Sequence, residues 1–298
     1  MSEPFPFDPP RDPLGRNVET PHPLRLPVLG IATRFESNAA RVIEIARDAF
    51  GGWRCIEGRT DVMDPHEVVV RVIMEEGDEG GGRTRIRYRM PDGRRVLLTT
   101  PGSAGISDPD RREATAFVTA ALVADAAHFR YGVIEALTIA LLSQLDRQPV
   151  HAAALVRSGA ALLLAGPSGA GKSTLAYAAT RAGCAALAED VVYVQLRPRL
   201  RVWGLAARLH LPEDAGHQFP DLDASRATLL ASGKRKIALD LRAAGAMPGL
   251  PFVERAGLCL LARAPDGEAP AITRVSADEV MTALGRNIEP GFDVFSDT

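Results

Sequence analysis

Residues 151–196 read HAAALVRSGAALLLAGPSGAGKSTLAYAATRAGCAALAEDVVYVQL, and the fold turns on them. ALLLA (161–165) is a short apolar run suited to a buried strand. It opens into GPSGAGKST (166–174), which fits G-x-x-x-x-G-K-[ST], and then into LAYAATRA (175–182), a helix expected to stop at Gly183. Strand, glycine loop and helix in that order are the setting this motif needs. Gly166, Gly169 and Gly171 let the backbone turn successive N–H groups toward one anion, and the helix N-terminus adds its dipole. The ligand expected here is a nucleoside triphosphate, ATP, with magnesium. Pro167, Ser168, Ala170 and Thr174 complete the cradle, Lys172 reaches the β- and γ-phosphates, and the Ser173 hydroxyl ligates Mg²⁺.

A carboxylate has to complete such a metal site. CAALAEDVV (184–192) supplies Glu189 and Asp190 at the end of the next apolar run. In doubly wound sheets, ligands collect at the carboxyl ends of strands. An adjacent acidic pair there can divide the work, one acid holding hydrated Mg²⁺ and the other positioning or deprotonating an acceptor hydroxyl. The bland alternative is an exposed acidic turn. His151 gains meaning from the hairpin that follows it. AAALVR and AALLLA flank Ser158-Gly159, a two-residue turn. That register pairs Arg157 with Ala160 and, continued, sets His151 opposite Gly166 beside the phosphate loop. A lone histidine before a strand is otherwise commonly structural.

At these residues the chain resembles the HPr kinase/phosphorylase superfamily, the bacterial P-loop serine kinases. The family pattern is a His, a G-x-S-G-x-G-K-S loop, a short helix ending in Gly, and an acidic pair. Here these are His151, Gly166 to Ser173, Gly183, and Glu189-Asp190. The pair is Glu-Asp where the family has Asp-Asp, and Thr174 stands where a Glu usually follows the loop serine. Within the superfamily the chain looks closer to the divergent HPr-kinase-like proteins encoded beside peptide-modification genes, including lasso-peptide kinases. The resemblance extends over 150–298, and about 45 residues carry it sharply. It implies an α/β, P-loop kinase domain with a central mixed sheet, and transfer of the γ-phosphate of ATP to a serine of a peptide or small protein. By the same carry-over Glu189 is the base toward the acceptor serine, Asp190 serves the metal, and His151 sits near the γ-phosphate. Related kinases have a basic loop where Lys234, Arg235 and Lys236 stand, which suggests a phosphate-clamping lid; a solvated basic turn is the plainer reading. Relatives also form homo-oligomers. Two other functions fit the same residues: a kinase for a small metabolite, and a nucleotide-binding switch that hydrolyses slowly and transfers nothing.

The rest of the chain sets bounds. A net charge of −2 and 46% hydrophobic residues in 298 suit one large or two modest domains, with no whole-chain field to favour nucleic acid or an anionic membrane. Three scattered cysteines without metal-ligand spacing suit a reducing interior. The opening residues are too Pro-rich and acidic for a signal peptide, and the longest apolar stretch, around 131–142, is too short to span a bilayer. A soluble, cytoplasmic protein is expected. Lysine occurs only at 172, 234 and 236 although Lys plus Arg total 35. Arginine-favouring codons account for that, or else lysine persists where a compact point charge is required.

Residues 1–27, with eight prolines, read as an extended arm. From 28 to 130 the pattern is a small α+β domain. It has strands over 26–35 and 67–74, a helix after Ser37-Asn38 with Val42, Ile45, Ala46, Ala49 and Phe50 on one face, and a hairpin about Pro91-Asp92-Gly93. Residues 109–146 read as helical, with the catalytic domain taken from 131 to 298. Further strands are expected over 192–204 (a hairpin around Arg197-Pro198), 237–241 and 257–264, with a closing helix capped near Ser276. Arg208 and His210 could reach a phosphorylated product or acceptor, but neither is taken as a site residue.

Overall fold

The structure, a computed structural model of the chain, describes residues 18–77, 85–223, 225, 227–229, 235–263 and 269–286. The chain divides into two compact units between Leu145 and Asp146. It is a mixed α/β protein.

The first unit is built on one seven-stranded sheet in the order β1-β2-β3-β7-β6-β5-β4. β1 (His22–Val28) and β2 (Ile31–Ser37) form a hairpin. Its turn puts both Leu29 and Gly30 at positive φ, the geometry that matches strand twist. Proline-rich residues 22–27 therefore belong to an edge strand, where a missing N–H is tolerated, rather than to an arm; residues 1–17 lie outside the described residues. Helix α1 (Ala40–Phe50) carries the chain over to β3 (Glu67–Glu75), which runs parallel to β2. Its buried residues are Val42, Ile43, Ile45, Ala46 and Phe50, close to the expected stripe. Asn38 does not cap α1; its amide exchanges hydrogen bonds with the Met74 backbone at 2.8 and 2.9 Å.

β4 (Arg87–Arg89), β5 (Val96–Thr99), β6 (Ala104–Asp108) and β7 (Glu113–Thr119) form an antiparallel meander, and β7 also pairs parallel with β3. The expected helix over 109–146 is thus corrected. Residues 113–119 are an inner strand, buried on both faces at 114–119, and burial on both sides erases the alternation that marks a half-exposed strand. Helix begins only at α2 (Ala120–Ala124) and continues through α3 (Ala126–Phe129), a π turn over Arg130–Glu135 and α4 (Ala136–Ser143). α4 packs on strands of this sheet, so the boundary falls after it and not near 130. Arg71 is buried on β3 and bonds Glu36 on β2 at 2.9 Å and Glu113 on β7, a charge ladder running across three strands. No helix among the described residues is long and apolar enough to cross a membrane.

The second unit stacks three sheets. One is β11-β9-β10-β18, with β9 (Ala153–Arg157), β10 (Ala160–Ala165), β11 (Ala185–Ala188) and β18 (Ala256–Leu260). Against one face lies β17-β13-β12-β8, with β8 (Gln148–His151), β12 (Val191–Gln195), β13 (Arg201–Trp203) and β17 (Phe252–Val253). Ala154, Ala161, Leu163, Ala165 and Leu187 meet Val192, Val202 and Val253 between them. Alternate residues Ala153, Leu155, Leu164 and Ala186 point to the other face. There they bury Ala176 of α5 (Lys172–Arg181) together with Leu209 of β14 (Arg208–Pro212). β14 belongs to the third sheet, β14-β16-β15, with β15 (Thr228–Leu229) and β16 (Arg235–Asp240). The period of two in AALLLA sends Ala161, Leu163 and Ala165 toward the neighbouring sheet and Leu164 toward α5, where Ala153, Ala186 and Ala176 keep the contact small. β18 is an edge strand with half-buried side chains rather than a core strand, and α6 (Ala277–Arg286) buries none of its residues. The capping of α6 by Ser276 is reciprocal: Ser276 Oγ accepts Glu279 N, and Glu279 Oε2 accepts Ser276 N at 2.7 Å.

Candidate functional site

The phosphate-loop motif sits where strand β10 ends and helix α5 begins. Gly169 and Gly171 have φ of +83° and +100°, conformations that favour glycine, so the loop can reverse within a few residues. Gly166 is required for a different reason: a Cβ there would stand 2.8 Å from the Leu261 carbonyl oxygen, backbone just past the end of β18. α5 starts at Lys172 with Gly171 as N-cap and no side-chain cap. Its first-turn N–H groups have no acceptor within the helix, and the positive end of the dipole lies at the loop. Lys172 is buried to 9% exposure, and its ammonium donates to the Gly166 carbonyl at 2.6 Å and toward that of Pro167 at 3.4 Å. The stem of Lys172 is therefore folded over the loop, where its charge faces whatever the loop holds. Pro167, Ser168, Gly169 and Ala170 with Arg263 line an open depression of about 460 Å³. Arg263 Nε donates to the Gly169 carbonyl at 3.0 Å.

The acidic pair occupies a corner between two sheets. β9 pairs with β11 and β8 pairs with β12, both antiparallel. Stepping three residues along each chain from Ala188↔Ala154 reaches Val191↔His151, so the two pairings are one ribbon. The ribbon passes from the first sheet into the second at Ala152 on one strand and at Glu189-Asp190 on the other. A register shift between Ala186 and Ala188 accompanies the bend, as expected where strands switch sheets. β11 runs in the same direction as β10, with β9 between them, because both are antiparallel to β9. Glu189 and the phosphate loop consequently leave the same edge of the sheet two strand spacings apart, roughly 10 Å. That is a span a triphosphate and a metal ion can fill.

The hairpin register expected from Ser158-Gly159 holds from Ala160↔Arg157 to Leu164↔Ala153. It does not continue to His151 and Gly166. β9 ends at Ala153, the chain crosses to the other sheet at Ala152, and His151 pairs instead with Val191. His151 Nδ1 lies 3.4 Å from Asp190 Oδ1, with the imidazole largely buried and the carboxylate more than half exposed. His151 and the acidic pair are brought together, by the ribbon rather than by the hairpin.

Glu189 has a partner that no local pattern announces. Its Oε1 accepts the backbone N–H of His210 at 2.7 Å, and its Oε2 lies 2.7 Å from His210 Nδ1. The alternation R-L-H-L in β14 sends Leu209 and Leu211 into the core and turns Arg208 and His210 the other way, which the sequence does indicate. The encounter with Glu189 depends on α5 docking β14 beside the sheet, and that is a long-range contact. Arg263 likewise carries no signal in sequence. α5 is tied to the third sheet's side by Tyr177 Oη and Arg181, which hold the two oxygens of Asp221 at 3.0 and 2.8 Å. Partial burial, then the bond to Asp221, pushes the Tyr177 phenol above its ordinary range.

Of the basic residues expected to form a lid, the two described ones lie in a strand. Arg235 and Lys236 open strand β16, paired with Leu229 and with Thr228 and Pro212. Arg235 is held by Glu213 at 3.1 Å and by the Ala227 carbonyl at 2.9 Å, so a strand ladder and an ion pair hold it back from swinging over a ligand. Lys234 lies outside the described residues. Among the described residues no three His, Cys, Asp or Glu side chains converge to hold a metal by themselves. Ser173 at the first turn of α5 and Asp190 at the corner suit a cation held jointly with phosphate oxygens, the usual manner of Mg²⁺. Neither the protein-family models nor the curated proteins compared with this chain give a match.

Proposed function

We propose that the second unit is an HPr-kinase-like P-loop domain that transfers the γ-phosphate of ATP, with Mg²⁺, to a serine hydroxyl of a peptide or small protein. One observation carries the reading. A glycine loop with a buried lysine and an adjacent carboxylate corner, Glu189-Asp190 with His151, leave the same edge of one sheet, a triphosphate's length apart. The loop amides and Lys172 neutralise the polyphosphate, and the uncapped start of α5 adds its dipole. Ser173 and Asp190 would hold magnesium, which would supply positive charge at the transferring group. His151 stands beside Asp190 on the inner side of the corner, its Nδ1 at 3.4 Å from the carboxylate. Glu189 stands on the acceptor side, where alignment of the hydroxyl contributes as much as any proton transfer.

The test is incubation of the protein with γ-labelled ATP and Mg²⁺ beside pools of serine-containing peptides and of small metabolites. Label is expected in peptide serine. Label confined to the metabolites would replace the acceptor class. Label released only as inorganic phosphate, with every acceptor offered, would leave an ATPase or switch and end the kinase reading.

A further inference from the structure

His210 is placed with more care than a bystander requires. Both of its contacts are to Glu189: the main-chain N–H grips Oε1, and the ring nitrogen Nδ1 grips Oε2, each at 2.7 Å. An ionised carboxylate has no proton to give, so Nδ1 must carry the hydrogen, and in a neutral imidazole the lone pair is then on Nε2. His210 is half-buried on the side of β14 opposite its core residues, and its Nε2 makes no hydrogen bond to the described residues. β14 packs through Leu209 on Ala176, one turn into the helix that starts at the phosphate loop. Both oxygens of Glu189, by contrast, are already engaged.

We infer that His210 Nε2 is the base that takes the acceptor's proton, and that Glu189 positions it and fixes its tautomer. This rests on the phosphotransfer reading above. In the step, the acceptor oxygen forms its bond to the γ-phosphorus as the bond from that phosphorus to the β,γ-bridging oxygen breaks. The bond electrons leave with ADP, the hydroxyl proton passes to Nε2, and the resulting imidazolium is held against the Glu189 carboxylate until solvent takes the proton. A carboxylate, an imidazole and a hydroxyl in sequence form the same relay that activates serine nucleophiles in hydrolases.

Glu189→Gln does not separate the two assignments, because a glutamine amide would also force the proton onto Nε2. His210→Asn does. Its side-chain N–H can stand where Nδ1–H stood and keep the grip on Glu189, but it offers no base. With γ-labelled ATP, Mg²⁺ and a pool of serine-containing peptides, His210→Asn should lose transfer by about 10²–10⁴-fold. Binding of MgATP, followed by calorimetry, should stay within about twofold of wild type, since no phosphate contact is touched. In His210→Ala, added imidazole should restore part of the transfer. Independently of turnover, ¹⁵N spectra of the free protein should show His210, assigned by its loss in His210→Asn, with the hydrogen on Nδ1. Transfer by His210→Asn near the wild-type level, or a hydrogen on Nε2, would overturn the inference while leaving the kinase reading intact. A wild-type protein that moves no phosphate from ATP would overturn both.

Discussion

If the proposed function holds, Lys172 is the residue on which nucleotide binding would most directly depend. Its ammonium is withdrawn from water and held by the Gly166 carbonyl, so in that place it acts in a medium where charge interactions are strong. Lys172→Ala should remove the stabilisation that MgATP gives in a thermal melt and lower turnover by on the order of 10²-fold or more. The melt without nucleotide should change less than the MgATP-dependent shift, because the ammonium donates to the loop carbonyls of Gly166 and Pro167. Lys172→Arg should not rescue, since a planar fork does not fit a site shaped for a compact charge. Retained MgATP stabilisation in Lys172→Ala would mean that the loop does not bind polyphosphate. A second residue-scale expectation concerns Asp92, in the turn between β4 and β5. Its carboxylate accepts the N–H of Arg95 at 2.7 Å and of Arg94 at 3.0 Å, and these bonds hold its pKa near about 2, against 3.8 ordinarily. A group depressed in the folded state adds stability that is present above its unfolded value and is lost as pH falls through the folded one. The Asp92 contribution should therefore fade between 3.8 and about 2, and carboxyl NMR titration should place its midpoint at the lower end. A midpoint near the ordinary value would show that the turn does not hold it.

Among the elements, β11 carries the acidic pair and is fixed on both sides. β9 pairs with one edge, while on the other the Leu187 carbonyl accepts Ala206 N at 3.0 Å and Ala186 N donates to Ala246 O at 2.7 Å. Gly204 lies against this strand so closely that a Cβ would stand 2.5 Å from the Leu187 oxygen. Backbone, not a pliable side chain, would have to move. Gly204→Ala should cost about 1–3 kcal/mol in denaturant unfolding, and it should lower turnover more than MgATP binding, because Glu189 follows Leu187 by two residues. Unchanged unfolding would show that the corner yields easily. This strand also marks where sequence reading stops. Loop, helix α5, its end at Gly183 and the register of the β9–β10 hairpin are all local, set by glycine placement and alternation, and they were legible. The corner was not: whether a ribbon stays in its sheet at Ala152 or crosses to the next is decided by what packs against it. β7 was misread as helix because alanine and burial on both faces hide a strand's period. His210 meets Glu189 across a docking of separate sheets, which no spacing along the chain encodes.

At the scale of the whole molecule, the division between Leu145 and Asp146 separates the glycine loop and the acidic corner from the seven-stranded sheet. Every residue assigned to the site, and every residue of the apolar clusters around α5, belongs to the second unit. Its first residues are structural: Asp146 Oδ2 accepts Arg197 N at 2.6 Å, and Arg147, almost wholly buried, lies over the Trp203 ring at 5.7 Å. A shortened chain must keep both. A unit with its own core is expected to fold without its neighbour. The chain from Asp146 onward should therefore melt in one cooperative transition and be stabilised by MgATP as the full-length protein is. The first unit alone, 1–145, should melt cooperatively with no response to nucleotide. If the isolated second unit binds MgATP but phosphorylates no peptide that the whole chain does, acceptor recognition belongs to the first unit. If it transfers as well as the whole chain, the residues that choose the acceptor lie beside the Glu189 corner. A second unit that fails to fold, or folds without binding MgATP, would refute the self-sufficiency argued from its core.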